Sequence, residues 1–223
     1  MSKKKRPSGS KTPQLSPSQR QSPDTLPAEE LAAQRAEIEA EAARRRRQQG
    51  NELLGEGARL LAQNRPGEAA ARLERAATLL PDDPDVAINL GGAYVLQRRY
   101  NKAVAVLERA SLATPDNAMV WTNLAAAYLG SLELSGPQQQ SKAIEAYERA
   151  LQVDPAAPNV HYNLGLIYND RQEHTQAQVW FTRALEINPG DRDARQWLAR
   201  LARAGQAADA LGDDPQTEQP AAG

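Results

Sequence analysis

Little in this chain has the residue types and spacing that bond-making chemistry needs. It holds two histidines, His161 and His174, and no cysteine. The missing thiols exclude cysteine nucleophiles, thiolate metal sites and disulfide scaffolds. No His-x-x-x-His pair, glycine-rich phosphate loop or pair of carboxylates converging on a pocket is visible. Serines and aspartates are present, but nothing sets a base beside a nucleophile. His161 reads as a packing residue, and His174 as an exposed member of the Arg171–Gln176 turn. No enzymatic activity, metal or cofactor is expected.

What remains is non-covalent chemistry, and charge is its first form. Residues 1–27 carry a net charge of +5, concentrated at Lys3, Lys4, Lys5 and Arg6, whereas the tail from Gly205 carries −4. A second basic run, Arg44, Arg45, Arg46 and Arg47, closes the segment from Pro27 to Gln49. That segment reads as a helix, with proline in its first turn, Glu29 and Glu30 at the positive end and arginines at the other. Its large apolar residues, Leu31 and Ile38, are seven apart and give a thin stripe. The sharp reading of Lys3–Arg6 is a nuclear-import signal or a phosphate-binding patch, and that of the four arginines is nucleic-acid binding. The bland one is a solvated tail and a solvated helix face. No aromatic residue accompanies the arginines for base stacking, and Glu41 sits four before Arg45, so the bland reading is preferred and nucleic acid is not expected.

The elements that would position any binding residue follow from periodicity. Pro81, Pro115, Pro155 and Pro189 recur at intervals of 34, 40 and 34 residues. The columns Ala69, Ala103, Ala143, Ala177 and Leu73, Leu107, Tyr147, Phe181 step by the same intervals, as do Ala76, Ala110, Ala150, Ala184. Gly57, Gly91, Ala125 and Gly165 step instead by 34, 34 and 40, which places six extra residues between Tyr128 and Ala143. Each unit reads as two antiparallel helices ended by proline. The small residue of the first helix is expected to face the small alanine of the second, so that the helices approach closely. One such hairpin cannot bury its apolar face alone; several stacked together can.

The skeleton Leu164-Gly165-x2-Tyr168, then Ala177-x3-Phe181, then Pro189, resembles the tetratricopeptide repeat pattern. The resemblance implies an all-α, right-handed superhelical solenoid of four repeats and a closing helix. The expected organisation is a disordered basic tail (1–26), a charged helix (27–49) and a degenerate first repeat (50–83). Repeats follow at 84–117, 118–157 with the insertion, and 158–191, then a capping helix (192–204) and a disordered acidic tail (205–223). The 27–49 helix runs toward the first repeat across Gly50, which weakens that junction. The insertion, around Ser135-Gly136-Pro137, is expected to lengthen the first helix of its repeat or to form a protruding loop.

In the family, first helices line a concave surface that grips a partner. Carried over by register, the lining is Leu54, Ile88, Asn89 and Val95, then Met119, Thr122, Asn123 and Leu129, then Tyr162, Asn163, Leu166 and Asn169. Solvent-exposed Ile88, Leu129 and Leu166 would need covering, either by a partner's apolar peptide or helix or by the chain's own N-terminal helix folding in. Asn89, Asn123 and Asn163 recur at one position and suit either a peptide backbone or simple helix packing. The cations by which family members clamp the acidic C-termini of chaperones are absent, so no such ligand is expected. An interaction scaffold is therefore the leading expectation. Polyanion binding through the basic segments, or self-association through the charged helix, is the alternative. No long apolar run is present and no apolar segment follows Lys3–Arg6, so a cytoplasmic protein without membrane partner is expected.

Overall fold

A computed structural model describes residues 27–212. Every regular element among them is helical: α1 (Ala28–Ala62), α2 (Pro66–Leu79), α3 (Pro84–Leu96), α4 (Tyr100–Ala113), α5 (Ala118–Leu129), a 3-10 turn (Leu132–Leu134), α6 (Pro137–Val153), α7 (Val160–Asp170), α8 (His174–Ile187) and α9 (Arg192–Gly212). The chain divides into two units, Met1–Arg44 and Arg45–Gly223. In the first, the described residues are helical from Ala28 and exposed throughout, Ile38 included. In the second, successive helices pack side by side.

Local chemistry sets the helix ends. Proline opens α2, α3 and α6, where its missing N–H is no loss. Asp83 caps α3, its carboxylate accepting from Asp85 N (3.0 Å) and Val86 N (3.1 Å). Leu79, Ala113, Val153 and Ile187 end the second helices just ahead of Pro81, Pro115, Pro155 and Pro189, because proline disfavours helix in the residue before it. Asn64, Arg98 and Gln172 take positive φ (56°, 58° and 63°) between first and second helices; in the third repeat Gly130 (φ 61°) makes the reversal instead.

The small first-helix residues have a different partner from the one their spacing suggests. A Cβ built on Gly57 would lie 2.5 Å from Leu73 Cγ, one on Gly91 2.6 Å from Leu107 Cγ, and one on Gly165 2.7 Å from the Phe181 ring. Each glycine is a hole for the large residue of the second helix, rather than a flat facing the alanine column. The alanines Ala69, Ala103, Ala143 and Ala177 are fully buried and let the same crossings close. Tyr94 OH donates to Glu74 Oε1 and Tyr128 OH to Glu108 Oε1, both at 2.7 Å, tying the second repeat to the first and the third to the second. Burial, helped by these carboxylates, pushes both phenols up to about 12.

Three boundaries take a definite form. First, α1 runs on through Gly50, which is glycine to admit Leu80, whose Cγ would be 2.5 Å from an added Cβ. Second, the insertion lengthens the second helix of its repeat: α5 has 12 residues, whereas α6 has 17 against 14 in α2, α4 and α8. Nor does the insertion hang free. Buried Gln140 donates to Asp170 Oδ2 (2.7 Å), and Arg171 donates to Gln140 Oε1 (3.0 Å), Ser141 Oγ (2.8 Å) and Pro137 O (3.2 Å). Third, α9 runs to Gly212, beyond the boundary expected at 204, because its Ala- and Leu-rich sequence favours helix past Gly205. The basic residues Lys3, Lys4, Lys5 and Arg6 and the tail beyond Gly212 lie outside the described residues.

Candidate partner-binding groove

The inner surface is built from the first helices, and their stacking decides which side chains stay open. Helices α3 and α5 lie side by side, with Asn123 Nδ2 donating to Ile88 O at 3.3 Å. That contact overturns one expectation. Ile88 is not solvent-exposed; it is 6% exposed and packs with Ala110 and Val120. Leu129 and Leu166 are half-buried, Leu129 against the core around Tyr147 and Leu166 against the core around Phe181. Leu54 and Val95 likewise rest on core clusters, and Tyr162 lies 5.7 Å from the Phe181 ring. Asn169 is half-buried at the end of α7. Met119 differs, being 59% exposed.

The asparagine column makes internal bonds. Asn89 Nδ2 donates to Asp85 O (2.8 Å), and Asn123 reaches α3 as above. Asn163 stands beside the buried Tyr147 hydroxyl, whose ionisation burial strongly opposes and the amide partly favours. Thr122 Oγ1 donates to Ala118 O (2.9 Å).

A cleft of about 610 Å³ opens beside Met119, lined by Asp116, Asn117, Thr122, Asn123, Asp154 and Asn159 among others. Its cause is local. Helices α3 and α5 begin at Pro84 and Ala118, but their counterpart in the fourth repeat, Pro158, is not helical. Asn159 adopts φ 63°, so α7 starts only at Val160 and the connection from Asp154 to Asn159 is longer than those before α3 and α5. Asp116, Asp154 and Asn159 were not picked out by register, since they sit in turns. Their nearness to the repeat prolines, Asp116 after Pro115 and Asp154 before Pro155, was the available signal.

Elsewhere, Arg44, Arg45, Arg46 and Arg47 are exposed on α1. His161 is half-buried 5.8 Å from the Trp180 ring, and burial, followed by Arg183, holds its pKa below the ordinary value. His174 is exposed at the start of α8. Among the described residues no cluster of potential metal ligands occurs, and no helix is long and apolar enough to cross a membrane.

Family models for the tetratricopeptide repeat match residues 60–128 and 158–191, and a TPR repeat model matches 138–170. The chain belongs to the tetratricopeptide repeat family. Its second unit is accordingly a TPR solenoid, whose all-helical architecture is shared with solved structures. A thermophilic TPR protein of Thermus thermophilus is 23% identical, with a TM-score of 0.62 over 75% of this chain and 93% of that one. Pseudomonas aeruginosa pilF is 20% identical (TM-score 0.63, 73% and 71% of the two chains). MamA from Desulfovibrio magneticus is 21% identical (TM-score 0.60, 74% and 90%). These likenesses establish the fold. No curated protein matches the chain. TPR proteins generally act as non-catalytic scaffolds that bind other proteins.

Proposed function

We propose that this TPR protein is an adaptor that holds an apolar peptide or helix of a partner protein on the inner face of α3, α5 and α7. The observation that supports this most is Met119, a large apolar side chain 59% exposed at the mouth of a cleft whose neighbouring first-helix residues are covered. An isolated exposed apolar residue is ordinary, but one beside a concavity of this size suits a partner's side chain. The test compares wild type with Met119→Arg and with Leu112→Arg, which alters an 85% exposed residue on α4. A partner captured by wild type and Leu112→Arg, but lost with Met119→Arg, supports groove binding. Equal capture by all three proteins rules it out.

A second reading rests on the four exposed arginines Arg44–Arg47. Polyanion binding there would fall steeply with salt and be indifferent to Met119→Arg.

A further inference from the structure

The cleft beside Met119 is unbalanced in its polar chemistry. Asp116 and Asp154 line it, and no lysine, arginine or histidine does. Neither carboxylate belongs to an ion pair among the described residues. Asp154 Oδ1 accepts from Ala156 N at 2.9 Å, which leaves its second oxygen available. Two of the neutral groups point their donors into the protein: the Thr122 hydroxyl to Ala118 O and the Asn123 amide to Ile88 O. The charged groups of the lining are therefore acceptors only, and the amides of Asn117, whose Oδ1 already accepts from Met119 N at 3.0 Å, and Asn159 are neutral. A lysine ammonium has three donors and no acceptor, and a guanidinium five donors, so either satisfies such a lining. An acidic segment would instead meet two carboxylates with no cation between them.

We infer that the partner segment is cationic: a lysine or arginine enters the cleft between Asp116 and Asp154, next to an apolar residue that covers Met119. This rests on the groove reading above and names the class of segment the groove takes. Electrostatic complementarity of this kind selects among partners more than it raises affinity. The apolar contact with Met119 supplies the attraction and the aspartates supply the choice.

Three fluorescein-labelled synthetic peptides serve as probes, identical except that the two positions beside a central leucine are lysine, glutamine or glutamate. Fluorescence anisotropy with the full chain is expected to rank them lysine, glutamine, glutamate in order of falling affinity. Added salt should shrink the lysine preference. The double variant Asp116→Asn, Asp154→Asn keeps the side-chain shapes and the oxygen that accepts from Ala156. It should weaken the lysine peptide about fivefold, as for partly exposed charge pairs, and leave the glutamine peptide unchanged. If all three peptides bind alike, or the double variant keeps the lysine preference, the cationic assignment is overturned. The groove reading still stands in that case, provided Met119→Arg abolishes binding of all three. Absence of binding by every peptide to wild type also overturns the cationic assignment, and the capture experiment then decides the groove on its own.

Discussion

Gly91 and Gly92 are neighbours in α3 with opposite demands on them. At Gly91 an added methyl would run into Leu107, whereas at Gly92 the nearest heavy atom, Asn123 Nδ2, is 3.9 Å away, and at Gly55 nothing lies within 4 Å. Gly91→Ala is therefore expected to destabilise by about 1–3 kcal/mol through overpacking. Gly55→Ala should stabilise by about 0.5–1 kcal/mol, since alanine is the better helix former and meets no obstacle. Urea unfolding of the two variants beside wild type checks both signs. His161 makes a second residue-scale prediction. Its folded-state pKa lies below the ordinary 6.5, because burial disfavours the imidazolium. Between the folded and unfolded pKa values the unfolded chain binds more protons, so stability rises with pH there. The contribution is complete above about pH 6.5 and is lost as pH falls below it. Thermal melts of wild type should decline over that range more than those of His161→Gln; parallel declines would contradict the assignment.

At the scale of elements, the insertion in the third repeat is fastened rather than loose, and Arg171 is the fastener. Arg171→Ala would leave the Oε1 of Gln140, a residue 4% exposed, without the guanidinium it accepts from. The expected loss is about 1–3 kcal/mol, the desolvation cost of an unmet buried polar atom. Faster amide exchange confined to the segment from Ser131 to Ser141 and the start of α8 would confirm the latch. Unchanged exchange there would refute it. The latch also marks how far sequence reaches. The columns ending in Ala177 and Phe181 were legible because one packing requirement is repeated in every hairpin and leaves a repeated residue. Features that occur once leave no such trace. The late start of α7 depends on the single backbone angle of Asn159, and Gly50 is small because of Leu80, thirty residues later. Register placed Met119 and Ile88 on one inner face. It could not show that Val120 of α5 covers Ile88 while Met119 of α5 stays open, because covering depends on how closely neighbouring first helices stack. The same holds for Asp116 and Asp154, whose turns acquire meaning only once the cleft exists.

Across the whole solenoid, aspartates and arginines gather in different turns, except in the third repeat, where the turn into α6 carries Glu133 and no cation. Asp82, Asp83, Asp116, Asp154 and Asp191 fall in the turns that lead into first helices or α9. Arg65, Arg98, Arg99 and Arg171 fall in those that lead into second helices. Because the paired helices are antiparallel, these sets occupy opposite edges, and a cationic segment would enter the groove from the aspartate edge. The stacking itself makes a prediction about cooperativity. In an array where each repeat touches only its neighbours, a defect should loosen its own end first. The closing contact is between Trp197 of α9 and Phe181 of α8, whose rings are 5.8 Å apart and within 2° of parallel. Trp197→Ala would strip this cover from a fully buried phenylalanine, at a cost of about 3 kcal/mol, the lower end for a large aromatic because Trp197 is itself only half-buried. Phe181 also fills the hole at Gly165, so loosening it should release α7 together with α8. Hydrogen exchange followed by mass spectrometry is expected to show lost protection in α7, α8 and α9, with α2 to α4 close to wild type. Uniform loss from α2 to α9 would mean that the repeats unfold as a single unit, and that nearest-neighbour stacking is the wrong description of what holds this protein together.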